Sequence, residues 1–201
     1  MIFIFDLLGR GGGINKVGWL LQLVSVSTKL KNAIEIIDNM LENNKKVVLF
    51  SQYLNPLHLL KEKYGDKAVL FEGKMNVKER QSAVKSFQED PNIQIFLGSI
   101  QAGGLGITLT ASDVCIFLDL AWVPSIHSQA AARLHRIGQK NNVSVYYLII
   151  KQSIEEEIYE LLHRKMAVIS ELMNEEKILQ IKSQSIFPEL IKKLRTKTKK
   201  H

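Results

Sequence analysis

Two segments in the middle of the chain carry residue types that could handle phosphate. In QAAARLHRIGQ, Gln129 to Gln139, a helix running through the segment would put Gln129, Arg133 and Arg136 at i, i+4 and i+7 on one face and turn His135 away from it. Two neighbouring guanidinium groups form a planar, permanently charged, multi-donor site for a phosphate. Gly138 is placed to end such a helix. R-x-x-R also occurs on solvated helix faces with salt bridges, so the spacing alone leaves both readings open. Upstream, SIQAGGLGITLT, Ser99 to Thr110, follows a strand-like run and holds Gly103, Gly104 and Gly106. Glycines there would expose amide N–H groups and admit a close ligand. By itself, the loop reads equally well as a tight turn between a strand and a helix.

Other chemistries find less support. GRGGGINK, Gly9 to Lys16, is glycine-rich, but Lys16 is followed by Val17 and no glycine precedes it, so it lacks the order of a Walker A loop and reads as a connector. No DExH-type acid cluster occurs in the 201 residues. The single cysteine, Cys115, lies in the apolar run VCIFL, which leaves no internal disulfide and no cysteine-based zinc site. His58, His127 and His135 have no metal-ligand spacing with a carboxylate or thiol, so no metal site is expected. Asp38, Asp90 and Asp113 form no acid/base pair, and Asp113 is placed to hold a turn.

The elements around these segments alternate between helical and strand periods. Leu30, Ile34, Ile37 and Leu41 mark a helical face ending near Asn43, and VVLF from Val47 is a short buried strand. A helix from Pro56 to Tyr64 stops at Gly65, AVLF from Ala68 is a strand, and Val77, Val84 and Phe87 suit a third helix ending before Pro91. Ile93 to Leu97, Val114 to Leu118 and Val143 to Ile150 supply three more strands, with a helix from about Ser125 to Arg136 between the last two. Strands apolar on both faces and separated by helices predict an α/β fold with a covered parallel sheet. In such sheets the functional loops lie at the carboxyl ends of the strands. Here those are Ser51 to Tyr53, the glycine loop after Leu97, and Asp119 to Pro124. From Ile154 one long amphipathic helix follows, with Ile158, Leu161, Leu162, Ile169, Leu172 and Met173 on its apolar side and three glutamates near its start, where they suit the helix dipole.

In this order the segments resemble the second RecA-like lobe of the Swi/Snf family of DNA-dependent ATPases, from about Ser27 to Met173. VVLFSQY is similar to motif IV, FEGKMNVKER to the segment after it, SIQAGGLGITLT to motif V, DLAWVP to the D-x-x-W-N-P segment, QAAARLHRIGQ to motif VI, and SIEEEIYELLHRKM to the brace helix. RLHRIGQ sets this family apart from strand-separating helicases with a G-R-x-G-R style motif VI. The resemblance implies a P-loop NTPase-type lobe that closes on ATP and Mg²⁺ held mainly by a first lobe, whose motifs these residues do not include. Arg133 and Arg136 would be arginine fingers, with Gln129 orienting them or the nucleotide, and Gly104 and Gly106 would face the nucleotide. Ser51, Gln52, Arg80, Ser99, Gln101, Ala102, Gly103 and Trp122 would lie along double-stranded DNA, although Trp122 equally suits a packed turn. Where the family usually has Arg, Asn and Asn, this sequence has Gln101, Thr108 and Val123, and it has Ala121 where an acid is common. These departures predict weakened DNA contact and leave open a remnant lobe that only binds DNA or a protein partner. The chain alone is expected not to hydrolyse ATP.

The implied organisation is a connector over 1–27, the lobe over 28–152, the brace helix over 153–176 and a basic tail over 177–201. Of the net charge of +7, six units come from Lys192, Lys193, Arg195, Lys197, Lys199 and Lys200, so the body is near neutral. That run reads either as a solvated end or as a sequence-blind phosphate-binding arm. MIFIFDLL has no preceding cationic region and is interrupted by Asp6, so neither a signal peptide nor a membrane partner is expected. The expected location is intracellular: nuclear in a eukaryote, cytoplasmic otherwise.

Overall fold

A computed structural model of the protein describes residues 16–101 and 106–171, together with Ile186 and Glu189; for 16–27 and 166–171 it describes the backbone alone. Five parallel strands form one sheet in the order β2-β3-β1-β4-β5, with β1 Val47–Ser51, β2 Ala68–Phe71, β3 Ile95–Ser99, β4 Val114–Phe117 and β5 Ser144–Tyr147. The helices are α1 Lys16–Glu42, α2 Leu54–Tyr64, α3 Val77–Glu89, α4 Pro124–Ala131 and α5 Ile154–Glu171.

Alternate side chains of the strands divide the core in two. Val48, Phe50, Phe96, Cys115 and Phe117 face Ala83 and Phe87 of α3 and Ala130 of α4. Val47, Leu49, Ile95, Leu97, Val114 and Ile116 face Ala33 and Ile37 of α1 and Leu57 and Leu60 of α2. Period-two alternation with both faces apolar therefore produces helices on both sides of the sheet. Gly98 in β3 is required by the first of these layers, because a Cβ there would lie 2.8 Å from the Phe50 ring. Asn76 and Glu79 form a reciprocal capping box that starts α3. Tyr64 ties the end of α2 to α1 by donating to Asp38 at 2.8 Å.

Four expectations change. α1 begins at Lys16, not near Thr28, so helical backbone covers the last twelve residues of the expected connector. The remainder of that connector, 1–15, lies outside the described residues. Val77 starts α3 but is 68% exposed, since a first-turn residue precedes the face that meets the sheet. β5 is an edge strand with Ser144, Val145 and Tyr146 exposed, not a strand covered on both faces. Finally, α4 stops at Ala131, five residues short of Arg136.

α5 packs Ile158, Leu161 and Leu162 against Leu120 and Trp122, and Ile186 completes that cluster with no exposure. The Ile186 N–H donates to the Trp122 carbonyl at 2.8 Å, and Glu189 pairs with Lys165 at 2.9 Å. Two positions of the expected 177–201 tail are thus docked on the domain. Leu172 and Met173, the rest of the tail and its basic run lie outside the described residues. Among the described residues no helix is long and apolar enough to cross a membrane.

Candidate nucleotide and nucleic-acid faces

The arginine segment is built from turns that follow α4. After Ala131 the amides of Arg133 and Leu134 bond back three residues, to Ala130 and Ala131, which tightens the chain out of α-geometry. The Arg133 carbonyl, which a continuing helix would pair with Ile137, instead accepts from Leu109 N–H at 2.8 Å. Arg136 turns towards the end of the glycine segment: its Nη1 donates to Thr108 Oγ1 at 2.9 Å and reaches the Gly106 and Ile107 carbonyls at 3.3 and 3.4 Å. A helix face does not therefore align Gln129, Arg133 and Arg136. Tertiary bonds to residues 106–109 hold the two arginines, while Gln129 remains exposed on α4.

The two guanidiniums are electrostatic neighbours. Partial burial, and then the charge of Arg136, push the Arg133 pKa below its usual value. Like charges held together in a partly desolvated place favour an anion bound between or beside them. Gly138, with φ +106°, belongs to the outgoing turn and does not terminate α4. Gln139 fastens that turn: its side-chain amide donates to Ser112 O at 2.7 Å and to Thr110 O at 3.3 Å, while its own carbonyl accepts from Asn141 N–H. Gln88 of α3 holds the same stretch through Thr110 Oγ1 and the Ala111 amide.

The loops at the carboxyl ends of the strands are arranged differently. Ser51 is fully buried, and its hydroxyl donates to an Asp119 oxygen while accepting from Tyr53 N–H. The other Asp119 oxygen accepts from Gln52 N–H at 2.8 Å, and Gln52 Nε2 donates to Leu120 O at 2.9 Å. Ser51 is thus turned inward, Gln52 is half-buried, and Tyr53 is the exposed residue of this loop. Ser99 is also buried, at 8% exposure. Gln101 is exposed, and Ala102, Gly103 and Gly104 lie outside the described residues. Burial pushes the Asp119 pKa up, and the hydrogen bonds from Ser51 and Gln52 oppose that shift.

Arg80 on α3 donates to the Gly73 carbonyl and lines an open groove of about 630 Å³ shared with Phe71, Gln88, Gly106 and Ile107. It therefore stands beside the end of the glycine segment. Trp122 is half-buried in the α5 cluster, as a packed turn aromatic. His127 is buried, accepts from Ala121 N–H at 2.9 Å and stacks edge-on to Phe117. His58 lies 2.8 Å from the buried Glu72 carboxylate, and Asp113 pairs with Lys45 across the turn before β4. No group of three potential metal ligands occurs among the described residues.

Sequence reasoning passed over Asp119, Gln139 and Lys29. The first two stand inside the motifs quoted above, and a buried acid directly after an apolar strand was the available signal. Lys29 offered none, because a lysine near a helix start looks solvated. In the structure it is 9% exposed, donating to Leu118 O at 3.0 Å and pairing with Glu155 of α5 at 2.5 Å.

The parallel sheet and the arginine turn bonded to residues 106–109 at the end of the glycine segment together define a RecA-like lobe of helicase type. Residues 28–138 match the helicase conserved C-terminal domain, and the chain belongs to that family. Its relatives narrow this to the second lobe of the Swi/Snf branch. The chain is 35% identical over 153 residues to an uncharacterized ATP-dependent helicase of Mycoplasma pneumoniae, covering 75% of this chain and 15% of that protein. It is 41% identical over 140 residues to the chromatin-remodeling ATPase INO80 of Neurospora crassa, covering 68% of this chain and 7% of that protein. The C-terminal part of the Fun30 ATPase domain superposes with a TM-score of 0.62 at 33% identity, over 66% of this chain and 44% of that one. The Sulfolobus solfataricus SWI2/SNF2 ATPase core in complex with dsDNA gives 0.58 at 26% identity, over 78% and 36%. This chain thus spans a small part of the length of the curated relatives it matches.

Proposed function

We propose that this chain is the second motor lobe of an ATP-driven translocase on duplex DNA, and that Arg133 and Arg136 act on an ATP held by a first lobe. The single observation that carries the reading is the arginine turn. Arg133 and Arg136 sit on a turn bonded to the end of the glycine segment through Leu109 and Thr108, so movement of that segment would move the proposed fingers as well. Their role would be to neutralise charge developing on the γ-phosphate oxygens, worth on the order of 10³ to 10⁵ in rate for a finger. Mg²⁺ would enter with ATP on the first lobe, and Gly104 and Gly106 would border the nucleotide from this side.

Duplex DNA would lie over the carboxyl ends of the strands. Gln52, Gln101 and the 102–103 backbone would meet phosphates there, with Arg80 at the flank and Trp122 supporting the groove. Ser51 and Ser99 would act from beneath, as scaffold. Phosphate contacts carry no base information, so binding should be sequence-tolerant and weaken with salt.

The test is reconstitution. The purified 201-residue chain should show no DNA-stimulated ATP hydrolysis, and supplying a Swi/Snf first lobe, fused or in trans, should produce it. Activity in the chain alone would reject the division of labour, and an Arg136→Ala variant that stays active in the reconstituted enzyme would reject the finger. A second reading, a non-catalytic module binding DNA or a protein partner, is favoured by Gln101 and Val123, which remove a cation and a polar turn residue. Duplex binding with no ATPase under any reconstitution would select it.

A further inference from the structure

Lys29 places a charge where the arginine chemistry does not need one. It belongs to α1, yet its ammonium is bound by two other parts of the chain: the Leu118 carbonyl at the end of β4 and the Glu155 carboxylate in the first turn of α5. The second Glu155 oxygen accepts from Ile150 N–H at 3.1 Å, which pins the start of the link into that helix. On the other side, Leu118 is followed directly by Asp119, whose carboxylate takes the Ser51 hydroxyl and the Gln52 amide, while Gln52 returns a bond to Leu120 O. One buried polar chain therefore runs from the brace helix, through Lys29, to the loop after β1. Buried charges of this kind are held by geometry, and losing one member leaves the others uncompensated.

We infer that Lys29 is a positioning residue for the DNA-facing loops, tying the Gln52 backbone to the brace helix through Glu155, Leu118 and Asp119. Its effect on DNA rests on the proposed function, whereas the structural tie does not. Amide hydrogen exchange on the full chain tests the tie: Lys29→Met should raise the Gln52 exchange rate about tenfold and leave the amides of Ile95 to Leu97 unchanged. Glu155→Gln, which keeps an acceptor and removes the charge, should give a smaller rise, and it carries the test if Lys29→Met does not fold. Leu60→Ala, a core change away from the chain of bonds, serves as the control for general destabilisation. Unchanged Gln52 exchange, or an equal rise in Leu60→Ala, overturns the inference.

In the reconstituted two-lobe enzyme, Lys29→Met should raise the half-saturating duplex concentration about tenfold, with the maximal rate at saturating duplex within about twofold. A loosened Gln52 with unchanged half-saturation overturns the link to DNA. A wild-type enzyme indifferent to duplex refutes the proposed function instead and leaves hydrogen exchange to decide the role of Lys29.

Discussion

The arginine turn and the strand-end loops are both polar, but they hold their polar groups in opposite directions. Arg136 lies exposed at the surface, anchored by its donors to Thr108 and the carbonyls before it, with Arg133 half-buried beside it. Ser51 and Asp119 face inward, with the Gln52 amide bonded to that carboxylate and Gln52 itself half-buried. One region presents charge directly, and the other holds its loop by a buried carboxyl group. A substitution in the first should therefore remove chemistry and spare the fold, whereas one in the second should disturb the fold and only through it the surface.

The largest effect is expected from Arg136→Ala. In the reconstituted enzyme kcat should fall by about 10³ or more, with melting temperature and duplex half-saturation little changed. Asp119→Ala should do the reverse: the Ser51 hydroxyl and Gln52 amide lose their acceptor inside the protein, costing about 3 kcal/mol in denaturant unfolding. Gly98→Ala probes the layer under both regions, and pressing a methyl group into the Phe50 ring should cost about 1 to 3 kcal/mol with the arginine-dependent rate retained. The smallest effect concerns His127. Burial depresses its pKa, so the unfolded chain takes up a proton first as pH falls through about 6.5. Stability should be full above that pH and decline by about 1 kcal/mol on acidification towards 5.5, a slope that His127→Gln removes.

Much of the fold was legible because its strands are short apolar runs bounded by breakers, as with Val47 to Phe50 and Ala68 to Phe71, and because Gly65 and Pro91 limit helices by local chemistry; the Asn76 cap of α3 was not read. The end of α4 was not. Ala130 to Leu134 is good helix material, and it is Leu109, bonding to the Arg133 carbonyl, that diverts the chain. The exposure of β5 escaped for a related reason: alternation in Ser144 to Tyr147 does not reveal whether another strand lies beyond it. At the site, the arginines were visible as a pair, but the face they share is made by turns and not by a helical period. Ser51 was expected at the surface because motif membership carries no sign of direction. That sign comes from Asp119, sixty-eight positions away.

The Gln139 clamp has a consequence for how the protein responds to its medium. An amide has no charge to titrate or screen, so its bonds to Ser112, Thr110 and Asn141 should persist unchanged from low to high ionic strength and across the neutral pH range. Contacts to a phosphate backbone have no such immunity. Raising salt should therefore weaken the proposed duplex contacts long before it misaligns the arginine turn.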